Sequence, residues 1–154
     1  MSEGGNRESG IGNRGVRIFL RNLVGLVLVA TAVGKLLDLP GFARVLGAYQ
    51  AFPEALLLPI GAAVVLAELA LAVWLLSGRR PFSAALAALV LHVAYAVWST
   101  SALLRGLQLS NCGCFGVFLP RRLSWFTVAE DLALAGICAA LAGLSRSGRS
   151  MQPA

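Results

Sequence analysis

The chain has 154 residues, of which 58% are hydrophobic and only 13% charged, with a formal net charge of +6 and a mean hydropathy of +0.78. A soluble domain carries about 25% charged residues, so this composition excludes an ordinary soluble module. The positive excess does not point to nucleic acid: the arginines gather at the ends of apolar stretches, where they orient a membrane protein and meet anionic lipid, and no basic stripe interleaved with aromatics is present.

The first fifteen residues are rich in Gly, Ser, Arg and Asn and are expected to form a disordered tail. The apolar run Ile18–Leu37 follows, long enough as a helix to cross a hydrocarbon core of about 30 Å. Arg17 and Arg21 before it, and "ATA" at Ala30–Ala32 within it, also fit a cleaved signal peptide. The run continues past that site to Leu37, which favours a span. Lys35 falls just inside its end. Asp38 precedes Pro40, as a turn residue or helix cap does. The segment Phe42–Tyr49 is expected as a short helix at the membrane surface, serving as a lid or docking face.

The second span is Ala55–Leu76 and the third Phe82–Leu104, separated by Arg79 and Arg80. Each carries one ionisable residue near its middle, Glu68 and His92. Charges within a span are costly, so such groups are functional candidates by default. Counted from the span ends, both sit roughly 18–20 Å deep, and they are expected to pair, either as a helix–helix contact or as a proton or quinone site. The fourth span is Trp125–Leu144. Glu130 and Asp131 lie about 8 Å into it, on the side where Lys35 also lies, and an ion pair between them and Lys35 is expected. Trp74, Trp98 and Trp125 stand toward span ends, as interfacial anchors do. Small residues four apart, Gly136 with Ala140 and Ala139 with Gly143, allow close helix packing. Residues 145–154 are expected as a second disordered tail. The reading is an all-α, integral membrane, antiparallel four-helix bundle in one domain over residues 16–144, with the lipid bilayer as its solvent.

Four spans put both termini on one side. Eight arginines fall on that side and five basic residues on the other. The positive-inside rule then places both termini in the cytoplasm, in a cell (inner) membrane, and the loop between spans three and four outside. That loop reads "LSNCGCFGVFLP", Leu109–Pro120. Outside the cytoplasm paired thiols oxidise. A C-x-C pair closes only with strain, and a strained disulfide is labile. Asn111, Gly113, Phe115 and Gly116 frame Cys112 and Cys114, and Arg121 or Arg122 can lower a thiol pKa. These are the parts of a redox dithiol. Two thiolates also suit Cu(I), and a plain tight turn is the third alternative; tetrahedral zinc lacks ligands. Cys138, deep in the fourth span, is expected to serve packing.

The "NCGCFG" loop resembles that of the MauE/DoxX-like family of four-helix membrane proteins. So does the stretch Thr31–Pro53, with Gly34, Lys35, Leu36, Asp38, Phe42 and Tyr49 in the family's pattern, Glu68 in "LAELALAV", and "LSWFTVAEDLAL" after the loop. The resemblance spans about Val16–Leu144. It implies support of disulfide handling or maturation of extracytoplasmic proteins beside a thioredoxin-like partner, as for the family's methylamine-utilisation accessory protein. The likeness does not fix the pathway. Unlike quinone-linked disulfide relays, the chain has one C-x-C and no second cysteine pair, so electrons pass to or from a partner protein or a quinone directly. A non-catalytic scaffold or maturation factor is the alternative from another class.

Overall fold

The structure, a computed structural model, describes backbone over residues 5–147 and side chains over 13–146. Five helices follow one another: α1 (Gly5–Leu36), α2 (Leu39–Ala48), α3 (Glu54–Ser77), α4 (Pro81–Leu104) and α5 (Trp125–Ser147). No strand occurs among the described residues. Four helices are long and apolar enough to cross a membrane, within Asn13–Leu36, Glu54–Ser77, Pro81–Leu104 and Trp125–Arg146. Their outward faces carry large apolar side chains such as Phe19, Leu66, Val73, Val90 and Val97, each more than 60% exposed. In water that surface would be untenable; against lipid it is at home. The chain is a multi-pass membrane protein with an all-α bundle.

Two boundaries differ from the sequence reading. Helix α1 begins at Gly5, inside the stretch expected as a tail, because extending an existing helix needs no new nucleus. At the other end α5 runs to Ser147, past the expected boundary at 144. The remainder of both expected tails, 1–4 and 148–154, lies outside the described residues.

The helices pack as two antiparallel pairs, α1 with α3 and α4 with α5, joined where α1 meets α5; α3 and α4 touch less than α1 and α5 do. One core fills the end of the bundle that holds the chain termini: Val24 and Leu28 of α1, Ala72 and Leu75 of α3, Ala84, Ala85 and Ala88 of α4, and Leu141 of α5. The alanines let α4 approach its neighbours closely. Cys138, fully buried, is part of this core.

The first span stops short of the far end of its neighbour α3. Gly25 of α1 lies against Leu76, and ten residues on, Lys35 meets Glu68. There α1 stops, while α3 continues fourteen more residues to Glu54, about 21 Å at 1.5 Å per residue. Helix α2 covers that remainder. Phe42, Leu46 and Leu39 pack around Gly61, and Gly47 faces Leu57. Asp38 caps α2: its Oδ1 accepts from Gly41 N at 2.8 Å, with Pro40 in the first turn where a missing N–H costs nothing. So a short helix stands where one was expected, packed on α3 by one face. Four of its ten residues, Gly41, Phe42, Ala43 and Leu46, are buried.

Candidate functional site

The space beyond the end of α1 is taken by the loop between α4 and α5. It is held by its own ladder: Leu123 N donates to Leu109 O at 3.0 Å and Cys112 N to Arg121 O at 2.7 Å. Gly113 N donates to Asn111 Oδ1 at 2.9 Å, Gly116 N to Gly113 O at 3.1 Å, and Asn111 Nδ2 to Gly116 O at 3.0 Å. Irregular backbone inside a membrane bundle is tolerated only when its polar groups are satisfied by protein in this way. Gly113 and Gly116 both have positive φ, 78° and 71°, which favours glycine. Gly116 also lies directly on Gly34 of α1, backbone to backbone, and a Cβ on Gly34 would come to 2.5 Å from Phe115 O. The loop and α1 are thus joined through two glycines. A further tie comes from Tyr49, buried at the end of α2, whose OH donates to Cys112 O at 2.8 Å.

Cys112 and Cys114 are both free, with their sulfurs 2.6 Å apart. That is well inside ordinary contact, and longer than the S–S bond of about 2.05 Å. The two thiols are not equivalent. Cys112 is pushed down from 9.0 to about 6, first by the hydrogen bond it shares with the Cys114 sulfur, and further by the Cys114 backbone N–H at 3.4 Å and the Arg121 guanidinium. Cys114 is pushed well up, by the same hydrogen bond, by burial and by the negative charge of Cys112. These surroundings favour the thiolate at Cys112 over Cys114, the arrangement of a nucleophile beside a proton-bearing partner. Arg121 is itself held by Glu130, at 2.9 and 3.0 Å. Both side chains are more than a third exposed, so this pair orients the guanidinium and adds little stability. Arg122 is exposed and makes no ion pair among the described residues.

The buried charges meet differently from the sequence reading. Lys35 does not pair with Glu130 or Asp131; its Nζ donates to both carboxylate oxygens of Glu68, at 2.7 and 2.9 Å. Glu68 does not pair with His92; its remaining partner is Tyr95, whose OH donates to Oε1 at 2.7 Å. His92 Nδ1 is 2.8 Å from Ala88 O, one turn back in its own helix. Depth counting assumed four full-length spans starting from one plane, and the early end of α1 carries Lys35 to the middle of α3. Glu68 is 1% and Lys35 4% exposed, so each charge depends on the other. Lys35 also sits over the Phe42 and Tyr95 rings, at 5.6 and 5.8 Å. Asp131, 9% exposed, makes no hydrogen bond or ion pair among the described residues. Tyr95 was not a candidate in the sequence. Its signal was its spacing, three residues after His92 and so on the same helix face.

Thiols and buried charges border one cavity of about 610 Å³ between the helices. Each helix offers it a single stripe: Leu28, Thr31 and Lys35 from α1; Ile60, Val64 and Glu68 from α3; His92, Tyr95 and Ser99 from α4; Thr127, Asp131 and Leu134 from α5. Phe42, Tyr49, Phe52, Trp98 and Phe115 supply aromatic wall, and Phe52 stacks on Trp98 with centroids 5.4 Å apart and planes 10° from parallel. Trp98 is thus part of the cavity rather than a simple interfacial anchor. No group of three or more His, Cys, Asp and Glu side chains converges among the described residues, so a metal would find only the two sulfurs here.

Residues 14–145 match the family described as methylamine utilisation protein MauE. The chain is 30% identical over 123 residues to the methylamine utilization protein MauE of Paracoccus denitrificans, an alignment covering 80% of this chain and 66% of that protein, a little under two thirds of its length. No solved structure matches.

Proposed function

Because this chain belongs to the MauE family, we propose that it is a membrane thiol–disulfide protein whose Cys112 and Cys114 cycle between dithiol and disulfide to support folding or maturation of extracytoplasmic proteins. The observation that carries this reading is the asymmetric pair, two sulfurs 2.6 Å apart with Cys112 held low and Cys114 high. A thiolate attacks a partner's disulfide sulfur, or a partner's thiolate attacks the Cys112–Cys114 bond; either way a mixed disulfide forms and the second thiol resolves it. Arg121 stabilises the thiolate, and the glycine-framed loop, with Cys112 packed among Tyr49, Ala102 and Leu123, fixes the sulfurs.

The same proposal places the loop on the extracytoplasmic side of the cell membrane and both termini in the cytoplasm, in line with the arginine asymmetry. A thioredoxin-like protein is the expected partner. A part in methylamine utilisation, the process named for the Paracoccus relative, belongs to the proposal as well. Cells are labelled with a membrane-impermeant maleimide, before and after a reductant, and the peptide holding both loop cysteines is followed by mass spectrometry. Labelling only after reduction is expected. Labelling that needs cell lysis would overturn the orientation. A double Cys112→Ser, Cys114→Ser variant that leaves partner disulfides unchanged would favour a scaffold and sink the redox reading.

A further inference from the structure

Thiols that cycle need somewhere for two electrons to go. Within the described chain there is no second thiol pair: Cys138 is fully buried in the separate core at the termini end, among Val24, Leu28 and Leu141. The acceptor is therefore another molecule. The cavity touches both sulfurs from within the bundle, and its chemistry is specific. Its walls are largely apolar and aromatic. Its polar lining includes the hydrogen-bonded group of Lys35, Glu68 and Tyr95, with His92, Thr127 and Asp131 also on its wall. Such a pocket, greasy with a few converging polar groups and within the roughly 300–1,000 Å³ of small-molecule sites, is built for a ligand. Ala94 and Ala133 are exposed and also line it, so its rim opens on the lipid-facing surface.

We infer that this cavity binds the ring of a lipid-soluble quinone, which takes the electrons of Cys112 and Cys114. This rests on the thiol reading above. A flat ring fits between aromatic walls such as Phe42, Phe115 and Trp98, with its tail leaving past the rim. Lys35 has three N–H donors and places two on Glu68, leaving one for a ring carbonyl oxygen. The step balances. Cys112 thiolate and Cys114 thiol join in one S–S bond and give up two electrons. The quinone takes both electrons and two protons, one released by Cys114 and one from water, and leaves as the quinol. Lys35, Glu68, Cys112 and Cys114 line the same cavity, so the polar floor and the thiols belong to one site.

The test uses the full chain, reduced, in nanodiscs of synthetic phospholipid, under anaerobic conditions, with a short-tailed ubiquinone analogue as probe. Trp98 lines the cavity and Trp74 and Trp125 do not, so fluorescence reports occupancy. Saturable quenching is expected, with one quinol formed and one disulfide gained per chain. The Cys112→Ser, Cys114→Ser variant is expected to quench without forming quinol. Ala94→Phe and Ala133→Phe, at the rim, are expected to weaken quenching about tenfold, the equivalent of ~1.4 kcal/mol. Exchange with oxidised glutathione is measured in parallel. Thiols that exchange with glutathione while the quinone neither quenches nor is reduced would overturn the cavity proposal, a lipid-filled cavity being the remaining account, and leave the thiol reading standing. Quenching without quinol formation by the wild type would equally refute the electron step. Thiols inert to both reagents would remove both readings.

Discussion

Replacing Gly34 by alanine tests whether the thiol loop is held by α1. The added Cβ would lie 2.5 Å from the carbonyl oxygen of Phe115 and 3.0 Å from its carbon. Neither atom is the end of a flexible side chain, so the strain falls on the backbone between Cys114 and Gly116. Alanine is also the better helix former, so α1 itself gains slightly and any loss reports the contact. Overpacking of this kind costs about 1–3 kcal/mol. If that cost is borne by the loop, its opening equilibrium rises roughly 5- to 150-fold, since 1.4 kcal/mol is a factor of ten. Hydrogen exchange read by mass spectrometry over residues 109–123 measures this directly, because the amides of Cys112, Gly116 and Leu123 are bonded only within the loop. Gly136→Ala is the control: nothing lies within 4 Å of a Cβ there. Unchanged exchange in Gly34→Ala would refute the docking of loop on helix and detach the sulfurs' position from α1.

Alkylation of reduced Cys112 should follow a midpoint near pH 6, and Cys114→Ala should shift the midpoint up more than Arg121→Gln, because the hydrogen bond from Cys114 is the larger cause. Since Cys112 is lower in the folded chain than its ordinary 9.0, the stabilisation from its thiolate is full above pH 9 and lost as pH falls to about 6; thermal unfolding in detergent between those values should show the reduced form weakening as the pH drops, a slope absent from Cys112→Ala. Lys35→Met leaves Glu68 buried without its cation and should cost about 3–5 kcal/mol, while the double variant with Glu68→Leu should recover much of it, as scored by melting temperature. Tyr49→Phe keeps the ring against Trp98 and removes only the hydrogen bond to Cys112 O, so about 0.5–1.5 kcal/mol should be lost, with faster exchange at the loop and none at the termini end.

Four spans were legible because hydrophobic length alone marks them, and lipid demands nothing subtler of their outward faces. The thiol loop was legible for a different reason: glycines and cysteines packed between apolar runs have few bland uses. The partners of the buried charges were not legible. Whether Lys35 meets Asp131 or Glu68 depends on how far α1 reaches along α3, and the sequence, which marks the end of the run at Leu37 and a short helix after it, does not say that this helix packs on α3. Asp38 and Pro40 gave the break its local chemistry, yet not its depth. Tyr95 and Tyr49 were hidden because a tyrosine in an apolar segment looks like an aromatic filler until the acceptor for its hydroxyl is known. Gly34 stood in the sequence only as part of a pattern; the loop backbone lying on it explains why a side chain there is excluded.

The break between α1 and α2 makes chain length a carrier of information. In a plain bundle an extra residue near a helix end lengthens a loop. Here, between Gly34 and Asp38, one added residue would turn α2 by about 100° relative to α1 and advance it 1.5 Å. Phe42 and Leu46 would leave Gly61, and Tyr49 would swing away from Cys112. The five residues from Gly34 to Asp38 therefore act as a spacer of fixed count, and this segment should accept substitution more readily than insertion or deletion.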